Sequence, residues 1–365
     1  MGQYKVCVYA ISKNEEQFVD RWMDSVSEAD LVIVVDTGSA DNTVKQLRER
    51  GATVYEEQII PWRFDEARNL ALRYVPEDVD ICVSIDLDEI HEPGWREVLE
   101  SAWSPEYTRA KYPYIWSHRS DGMPDQKYQR EKIHRRHNFH WIHPVHEILE
   151  FTGEGGENEV WIEELVLHHY PDVTKPRSLY LPLLELSVKE NPSDDRAMFW
   201  LGREYLYYQK YNSAVETLKE YLKLPTARWN EERSAAMRFI AQSYEQLQDG
   251  KAAATWLFRA MEECPAVREP YLGFARLAYG EQNWPMVYAM VKLGLAITKK
   301  SGSYLMEPEC WGAELYDLGA VSAYYLGLYQ KAEDYAETAF QMRPADERLK
   351  SNLELIRKTV QEQAG

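Results

Sequence analysis

The sequence predicts two fold classes in series: an α/β N-terminal domain on a mainly parallel, Rossmann-like sheet, then an all-α helical-repeat domain. Three observations carry this. Short Val- and Ile-rich runs alternate with amphipathic segments in the first half, strand signals stop near residue 175, and a similar helix-turn-helix pattern recurs after Leu179. A chain of 365 residues is long enough for two cores. We expect domains over residues 1–175 and 176–365.

In the first half the expected strands are Tyr4 to Ile11, Leu31 to Asp36, Ala52 to Tyr55 and Ile81 to Asp86, with helices between them. Strand-helix-strand alternation implies parallel strands covered by helices on both faces. Ligands of such sheets bind at the carboxyl ends of the strands.

In the second half, Tyr211-Asn212-Ser213-Ala214, Gly250-Lys251-Ala252-Ala253, Asn283-Trp284-Pro285-Met286 and Tyr329-Gln330-Lys331-Ala332 each follow a helix carrying Gly or Ala beside large apolar residues. Pro225, Pro265 and Pro344 close three of the following helices. Measured at the fourth residue of each turn, the spacings are 39 (214 to 253), 33 (253 to 286) and 46 (286 to 332). They bracket the ~34-residue tetratricopeptide period, with an insertion around Ser301 to Pro308 in the longest gap. A tetratricopeptide-like (TPR-like) solenoid with a concave face follows, and an irregular helical bundle is the alternative. Such arrays bind peptides or proteins and carry no chemistry, so catalysis must come from the first half.

The formal charge of −18 disfavours non-specific binding to nucleic acid or an anionic bilayer. Cys7, Cys82, Cys264 and Cys310 are scattered without metal-binding spacing and read as reduced core residues. No segment resembles a signal peptide or approaches the ~20 apolar residues of a membrane span, so a cytoplasmic location is expected.

Three segments after predicted strands carry the candidate chemistry. Val83-Ser84-Ile85-Asp86-Leu87-Asp88-Glu89 reads as a buried strand delivering Asp86 and Asp88 to one side, where both can reach a divalent cation directly or through water. A solvated turn is the plain alternative. Asp36, at the end of Val32-Ile33-Val34-Val35, can accept hydrogen bonds from a base or ribose, and Gly38 lets the backbone approach. Ser39 and Asp41 are better read as caps of the next helix. In Phe64-Asp65-Glu66-Ala67-Arg68-Asn69, Arg68 can pair with a diphosphate, or simply with Asp65 three residues earlier.

Asn14-Glu15, Asp36-Thr37-Gly38-Ser39, Phe64-Asp65-Glu66-Ala67-Arg68-Asn69 and Asp86-Leu87-Asp88-Glu89 together resemble, in order, the motifs of family 2 glycosyltransferases with the GT-A fold. The resemblance spans residues 4 to 90 and departs at Ala40, where relatives often carry Thr. It implies a nucleotide-sugar donor, with UDP favoured by family habit, a divalent metal (Mn2+ or Mg2+), and inversion at the anomeric carbon. By that likeness Asp36 contacts the nucleoside, Arg68 the diphosphate, Asp86 the ribose or sugar, and Asp88 the metal.

The chemistry also needs positive charge against the leaving phosphate and a base for the acceptor proton. Five of the nine histidines fall between Lys132 and Glu147. There His146-Glu147 matches the family's closing pair, which implies Glu147 as general base with His146 beside it. Arg135, Arg136 and His137 are candidates for neutralising the donor phosphates, or form a solvated basic strand. In this fold a late histidine commonly completes the metal site. The spacing of His168-His169-Tyr170 relative to Lys175 and Arg177 favours His169 over His168, a hydrogen-bonded core histidine being the alternative.

The layout is similar to bacterial peptide and protein glycosyltransferases, including S-glycosyltransferases of bacteriocin cysteines. That likeness suggests an array that presents a polypeptide acceptor or mediates homodimerisation. Sugar transfer to lipopolysaccharide or another glycan is a second expectation. A non-catalytic sugar-nucleotide-binding scaffold with a protein-binding array is the rival of a different class.

Overall fold

The computed structural model describes residues 2–119, 121–172 and 178–364. The chain forms two compact units, Met1–Ser187 and Val188–Gly365. The boundary expected at 175/176 lies outside the described residues.

In the first unit the chain runs β1 (Val6–Ser12), α1 (Glu16–Ser25), β2 (Leu31–Asp36), α2 (Thr43–Glu49), β3 (Thr53–Glu56), α3 (Phe64–Tyr74), β4 (Ile81–Ser84), β5 (Glu89–His91), α4 (Trp95–Ala102), β6 (Arg109–His118) and β7 (Pro124–Arg135). Then come β8 (Phe139–Ile142), β9 (Ile148–Phe151), β10 (Glu159–Trp161), β11 (Leu167–His169) and α5 (Tyr180–Glu190), whose last three residues belong to the second unit.

The main sheet has the order β3-β2-β1-β4-β7-β6-β11-β5, with β10 also pairing β6. Its first four strands are parallel, as the alternating pattern predicts. Beyond β4 the sheet is mixed: β7 is antiparallel to both β4 and β6, β11 is parallel to β6, and β5 is antiparallel to β11. A separate hairpin joins β8 and β9.

The strands read as unbroken apolar runs because both sheet faces are covered. Along β1, Val6, Val8 and Ala10 enter a core with Val19 and Trp22 of α1, Leu47 of α2 and Leu99 of α4. Cys7 and Tyr9 enter the opposite core with Ala71 and Leu72 of α3 and with Phe139, Trp141 and Leu149 of the hairpin. Each fully buried Val, Leu or Ile contributes roughly 1.5–3 kcal/mol of transfer free energy. The order 3-2-1-4 reverses direction at β1, which opens a crevice at the carboxyl ends of β1, β2 and β4.

The second unit is helical throughout: α6 (Asp195–Tyr207), α7 (Tyr211–Tyr221), α8 (Asn230–Gln246), α9 (Gly250–Glu263), α10 (Glu269–Gly280), α11 (Trp284–Ala296), a 3-10 turn at Pro308–Trp311, α12 (Glu314–Tyr325), α13 (Tyr329–Met342) and α14 (Glu347–Ala364). Successive helices pack on one another as antiparallel pairs, the tetratricopeptide-like arrangement that the period predicts.

Gln209, Gln248, Gln282 and Gly327 take left-handed backbones at the turns within the four pairs and set the repeat register. Seven residues before them stand Gly202, Ala241, Ala275 and Ala320, and five after them Ala214, Ala253, Val287 and Ala332, all buried. The equivalent of Ala214 in the third pair is therefore Val287, one residue beyond the expected Met286. The true spacings are 39 (209 to 248), 34 (248 to 282) and 45 (282 to 327). Small residues at these sites let the helices touch: a Cβ on Gly202 would lie 2.5 Å from Leu218 of the facing helix. All four cysteines are free and buried, as expected. Among the described residues no helix is long and apolar enough to cross a membrane.

Candidate active site

At the carboxyl ends of β1 and β2, the two loops carrying the first two motifs clamp each other. The Asp36 carboxylate is buried and accepts from the Ser12 hydroxyl (2.8 Å), the Gly38 and Ser39 amides (3.0 and 2.8 Å) and the Ser39 hydroxyl (2.5 Å). Ser39 Oγ in turn accepts from the Asn14 amide at 2.8 Å, and Asn14 Oδ1 accepts from the Ala40 amide at 2.7 Å. Gly38 has φ 103°, a backbone a side chain rarely adopts. Asp36 thus shapes the loop with its own carboxylate.

The capping expectation divides between its two residues. Asp41 accepts from the Thr43 amide and hydroxyl at the start of α2 and from the Glu16 amide at the start of α1. Ser39 caps neither helix.

The strand reading of the acidic motif needs correction. β4 ends at Ser84, and the Glu89 amide donates to the Asp86 carbonyl at 2.9 Å, so residues 86–89 form a turn. Strand alternation therefore does not hold, and the two aspartates have different partners. Buried Glu89 supports the turn by accepting from the Asp86 amide (3.1 Å) and the Tyr114 hydroxyl (2.8 Å).

Asp86 faces two cations. Arg68 donates from Nη2 to Oδ2 at 3.0 Å, its Nη1 lies 2.8 Å from Oδ1, and Lys132 Nζ lies 3.0 Å from Oδ2. The same Arg68 donates from Nε to Glu147 Oε1 at 2.5 Å. Arg68, Asp86, Lys132 and Glu147 make a charge-balanced mesh, its cations buried and its carboxylates half-buried, above the Trp141 ring, whose centroid is 5.0 Å from the guanidinium and 6.0 Å from Nζ. Burial alone would raise the Asp86 and Glu147 pKa values, but Arg68 and Lys132 outweigh it and hold both below the usual carboxylate range. Burial works against the charge on Arg68, and its two carboxylates more than compensate.

Local sequence explains how Arg68 arrives. Asn69 clamps β8 through paired 2.7 Å bonds to the Trp141 backbone, and the Phe64 amide donates to the Pro144 carbonyl, tying α3 to the loop that bears Glu147. The alternative pairing with Asp65 does not form, because Asp65 bonds Arg63 at 2.8 Å.

Asp88 meets His169, with Oδ2 3.4 Å from Nε2. The His169 ring donates from Nδ1 to the Trp116 carbonyl (3.2 Å) and stacks on the Trp116 indole at 4.3 Å. Burial disfavours the charged ring, but the hydrogen bond and charge of Asp88 raise the His169 pKa overall. Asp86 stands apart, engaged with Arg68 and Lys132, and among the described residues no group of three His, Cys, Asp or Glu side chains gathers as a metal cluster.

These loops fall inside a stretch, residues 7–151, that matches the model of glycosyl transferase family 2. The N-terminal unit belongs to that family. Solved structures similar to parts of the chain include MamA (16% identity, TM-score 0.38, covering 49% of this chain and 99% of that one). PilF of Pseudomonas aeruginosa is 14% identical with TM-score 0.38, covering 49% and 72%. Glucosyl-3-phosphoglycerate synthase from Mycobacterium tuberculosis, solved with Mn2+, UDP and glucosyl-3-phosphoglycerate, is 28% identical with TM-score 0.27, covering 31% and 44%.

Other expected residues of the glycosyl transferase domain lie elsewhere. Register pairs Arg135 with Ile81, the first residue of β4 and the end opposite Asp86. Arg135 lies over Phe151 at 5.3 Å, Arg136 binds the Val75 carbonyl and Glu77, and His137 bonds the Glu77 carbonyl. The strand thus delivers Lys132 to the mesh and carries the two arginines away from it. His146 has φ 52° and packs on Tyr180, with ring centroids 5.5 Å apart. His168 turns away from Asp88, bonding Glu92 (3.0 Å) and His118 (2.9 Å), as alternation along β11 requires. Lys175 and Arg177 lie outside the described residues.

Sequence reasoning missed Lys132, Trp116 and Trp141 as parts of the site. A lysine at a buried strand position, as in Glu131-Lys132-Ile133-His134, was the available signal for the first.

Proposed function

We propose that this glycosyl transferase moves a sugar from a nucleoside diphosphate donor, UDP being the first candidate, to a polypeptide acceptor with inversion. The observation that carries the reading is Arg68, held between Asp86 and Glu147 at the carboxyl end of β4. Family 2 membership of the surrounding loops supports it.

In this reading the acceptor's heteroatom attacks the anomeric carbon as that carbon's bond to the diphosphate oxygen breaks. The acceptor proton passes to the Glu147 carboxylate, and the bonding electrons leave with the nucleoside diphosphate. Arg68 and Lys132 stand where they can balance the leaving charge. Arg68 has a second role, because its pairing with Glu147 makes that carboxylate a weak base until donor oxygens compete for the guanidinium. Asp86 serves as counter-ion and positioning group for both cations, which replaces the metal role expected for it.

Asp88 and His169 fit a divalent cation: the Trp116 carbonyl takes the Nδ1 proton, which leaves Nε2 directed at Asp88. Two protein ligands suffice for an ion that also binds substrate phosphates. When bound, such an ion supplies Lewis-acid stabilisation of the departing diphosphate.

A panel of nucleotide-sugars, assayed for donor hydrolysis with and without Mn2+, tests the reading. Hydrolysis of one donor by wild type and its loss in Glu147→Gln is the expected result. Donors that bind without reacting in wild type would leave the non-catalytic sugar-nucleotide-binding scaffold as the better account, and failure of every donor to bind would overturn both.

A further inference from the structure

The insertion between α11 and α12 crosses the inner side of the helical unit. The first helices of the pairs touch in sequence, α6 with α8, α8 with α10 and α10 with α12, whereas α7, α9, α11 and α13 make no comparable contacts with one another among the described residues. The row α6-α8-α10-α12 therefore lines the concave side.

Residues 303–307 lie along three of these four helices. The Tyr304 ring stacks on Trp200 of α6 (5.7 Å, 14°) and meets Trp229 at the start of α8 (5.7 Å, 60°). Its hydroxyl donates to Glu232 Oε2 of α8 at 2.8 Å, while Tyr221 donates to the other oxygen at 2.9 Å. Leu305 packs on the core of the first two pairs. Glu307 pairs with Arg238 of α8, and its amide donates to Glu269 of α10 at 3.0 Å. Both ends of the loop are fixed independently of this strap, since Arg268 donates to the Ile297 carbonyl (2.9 Å) and the Cys310 carbonyl (3.2 Å) and lies over the Trp311 ring at 3.9 Å.

The contacts are those of an extended peptide in a groove. An aromatic ring fills a slot between two tryptophans, a hydroxyl meets a carboxylate at its base, and a carboxylate three residues on meets an arginine. All five strap residues stay partly exposed, whereas Glu232 and Glu269 beneath them are buried. A segment anchored at both ends and half-covered between them can lift without unfolding its anchors.

We propose that the concave face of the helical unit is a peptide-binding groove selective for tyrosine followed at the third position by a carboxylate, and that Tyr304-Leu305-Met306-Glu307 fills it in cis. A partner segment of that pattern binds by displacing the strap. The proposal concerns the helical unit alone and does not use the transfer reaction.

The test uses the full chain with Ser301–Glu307 replaced by a Gly/Ser stretch of equal length, and a fluorescein-labelled peptide of residues 299–309 supplied in trans. Fluorescence polarisation is expected to show saturable binding at least about tenfold tighter than to the intact chain, with Tyr304→Phe and Glu307→Gln peptides each about tenfold weaker, as loss of a hydrogen bond to a charged group implies. A replacement variant with wild-type helix content that binds the peptide no better than the intact chain overturns the proposal. Hydrogen exchange on the intact chain decides the matter if that variant fails to fold. Exchange at Leu305 to Glu307 at least about tenfold faster than in α8 and α10 supports a detachable strap, and equal protection makes it a fixed part of the core and overturns the idea.

Discussion

Arg68 and Glu147 stand 79 residues apart in the chain and 2.5 Å apart in the fold. The same guanidinium holds Asp86, so one buried cation fixes two carboxylates from different loops. Removing it strands both anions, which costs roughly 3 kcal/mol or more at a buried pair. We expect Arg68→Met, which removes the charge while keeping much of the volume, to lower the unfolding temperature of the first unit by roughly 6–12 °C and to abolish donor hydrolysis. Calorimetry and the hydrolysis assay read both effects, and an unchanged melting temperature would argue against the mesh.

Glu147 tests the base assignment through pH. Arg68 and Lys132 lower its pKa below the ordinary 4.5, and a base acts when deprotonated. The acid limb of kcat/KM assigned to this carboxylate is therefore expected below pH 4.5, with no loss from it between pH 7 and 5. Glu147→Gln should cut kcat by about 10²–10⁴-fold with donor KM little changed. A Gln variant of wild-type rate would remove Glu147 from the chemistry.

The cation site is tested by binding rather than turnover. UDP affinity measured calorimetrically for wild type should rise on adding Mn2+, and Asp88→Ala and His169→Ala should each lose roughly 10–100-fold of that gain while keeping the wild-type melt. Equal Mn2+-dependent affinity in mutant and wild type contradicts the assignment.

His134 makes acid stability measurable. Its ring is fully buried, donating from Nδ1 to the Arg135 carbonyl and accepting the Tyr9 hydroxyl at Nε2, and burial pushes its pKa from 6.5 down to about 3. The unfolded chain takes up a proton below pH 6.5 that the folded ring refuses, so stability is lost as pH falls from 6.5 toward 3. The contribution is about 1.4 kcal/mol per pH unit within that window. His91, pushed to about 4 by burial, adds a second such slope. Urea titrations at pH 7, 5.5 and 4.5 should show a shallower decline in His134→Gln than in wild type; identical declines would sink the account.

Repeat packing is tested by two glycines. At Gly202 a Cβ would lie 2.5 Å from Leu218, so Gly202→Val should destabilise by about 1–3 kcal/mol. At Gly280, the last residue of α10, a Cβ meets nothing within 4 Å, and Gly280→Ala should stabilise by about 0.5–1 kcal/mol. Urea midpoints of the two variants should move in opposite directions.

Much of this fold is legible locally. β2 begins and ends at the expected residues, because Leu31 to Val35 is an apolar run ended by Asp36. Repeat turns announce themselves by a small residue after each helix break, although without the left-handed glutamine at 282 the third pair is misread by one position. Asp86 and Asp88 are nameable because they follow an apolar run, whereas Arg68, Glu147 and His169 are singled out by the resemblance to family 2 motifs. Their partners are not nameable, since Lys132 reaches Asp86 only through an antiparallel strand that propensity cannot pair with β4.

The sequence by itself determined where strands, helices and repeats lie, since hydrophobic period and turn chemistry act over a few residues. It also determined which side chains carry charge at the ends of strands. Tertiary structure alone decided that Asp86 and Asp88 take different partners, that Arg135 and Arg136 lie away from the site, and that an insertion covers the inner face of the array. Those outcomes depend on register, strand order and loop closure, where chain segments tens of residues apart compete for the same buried space.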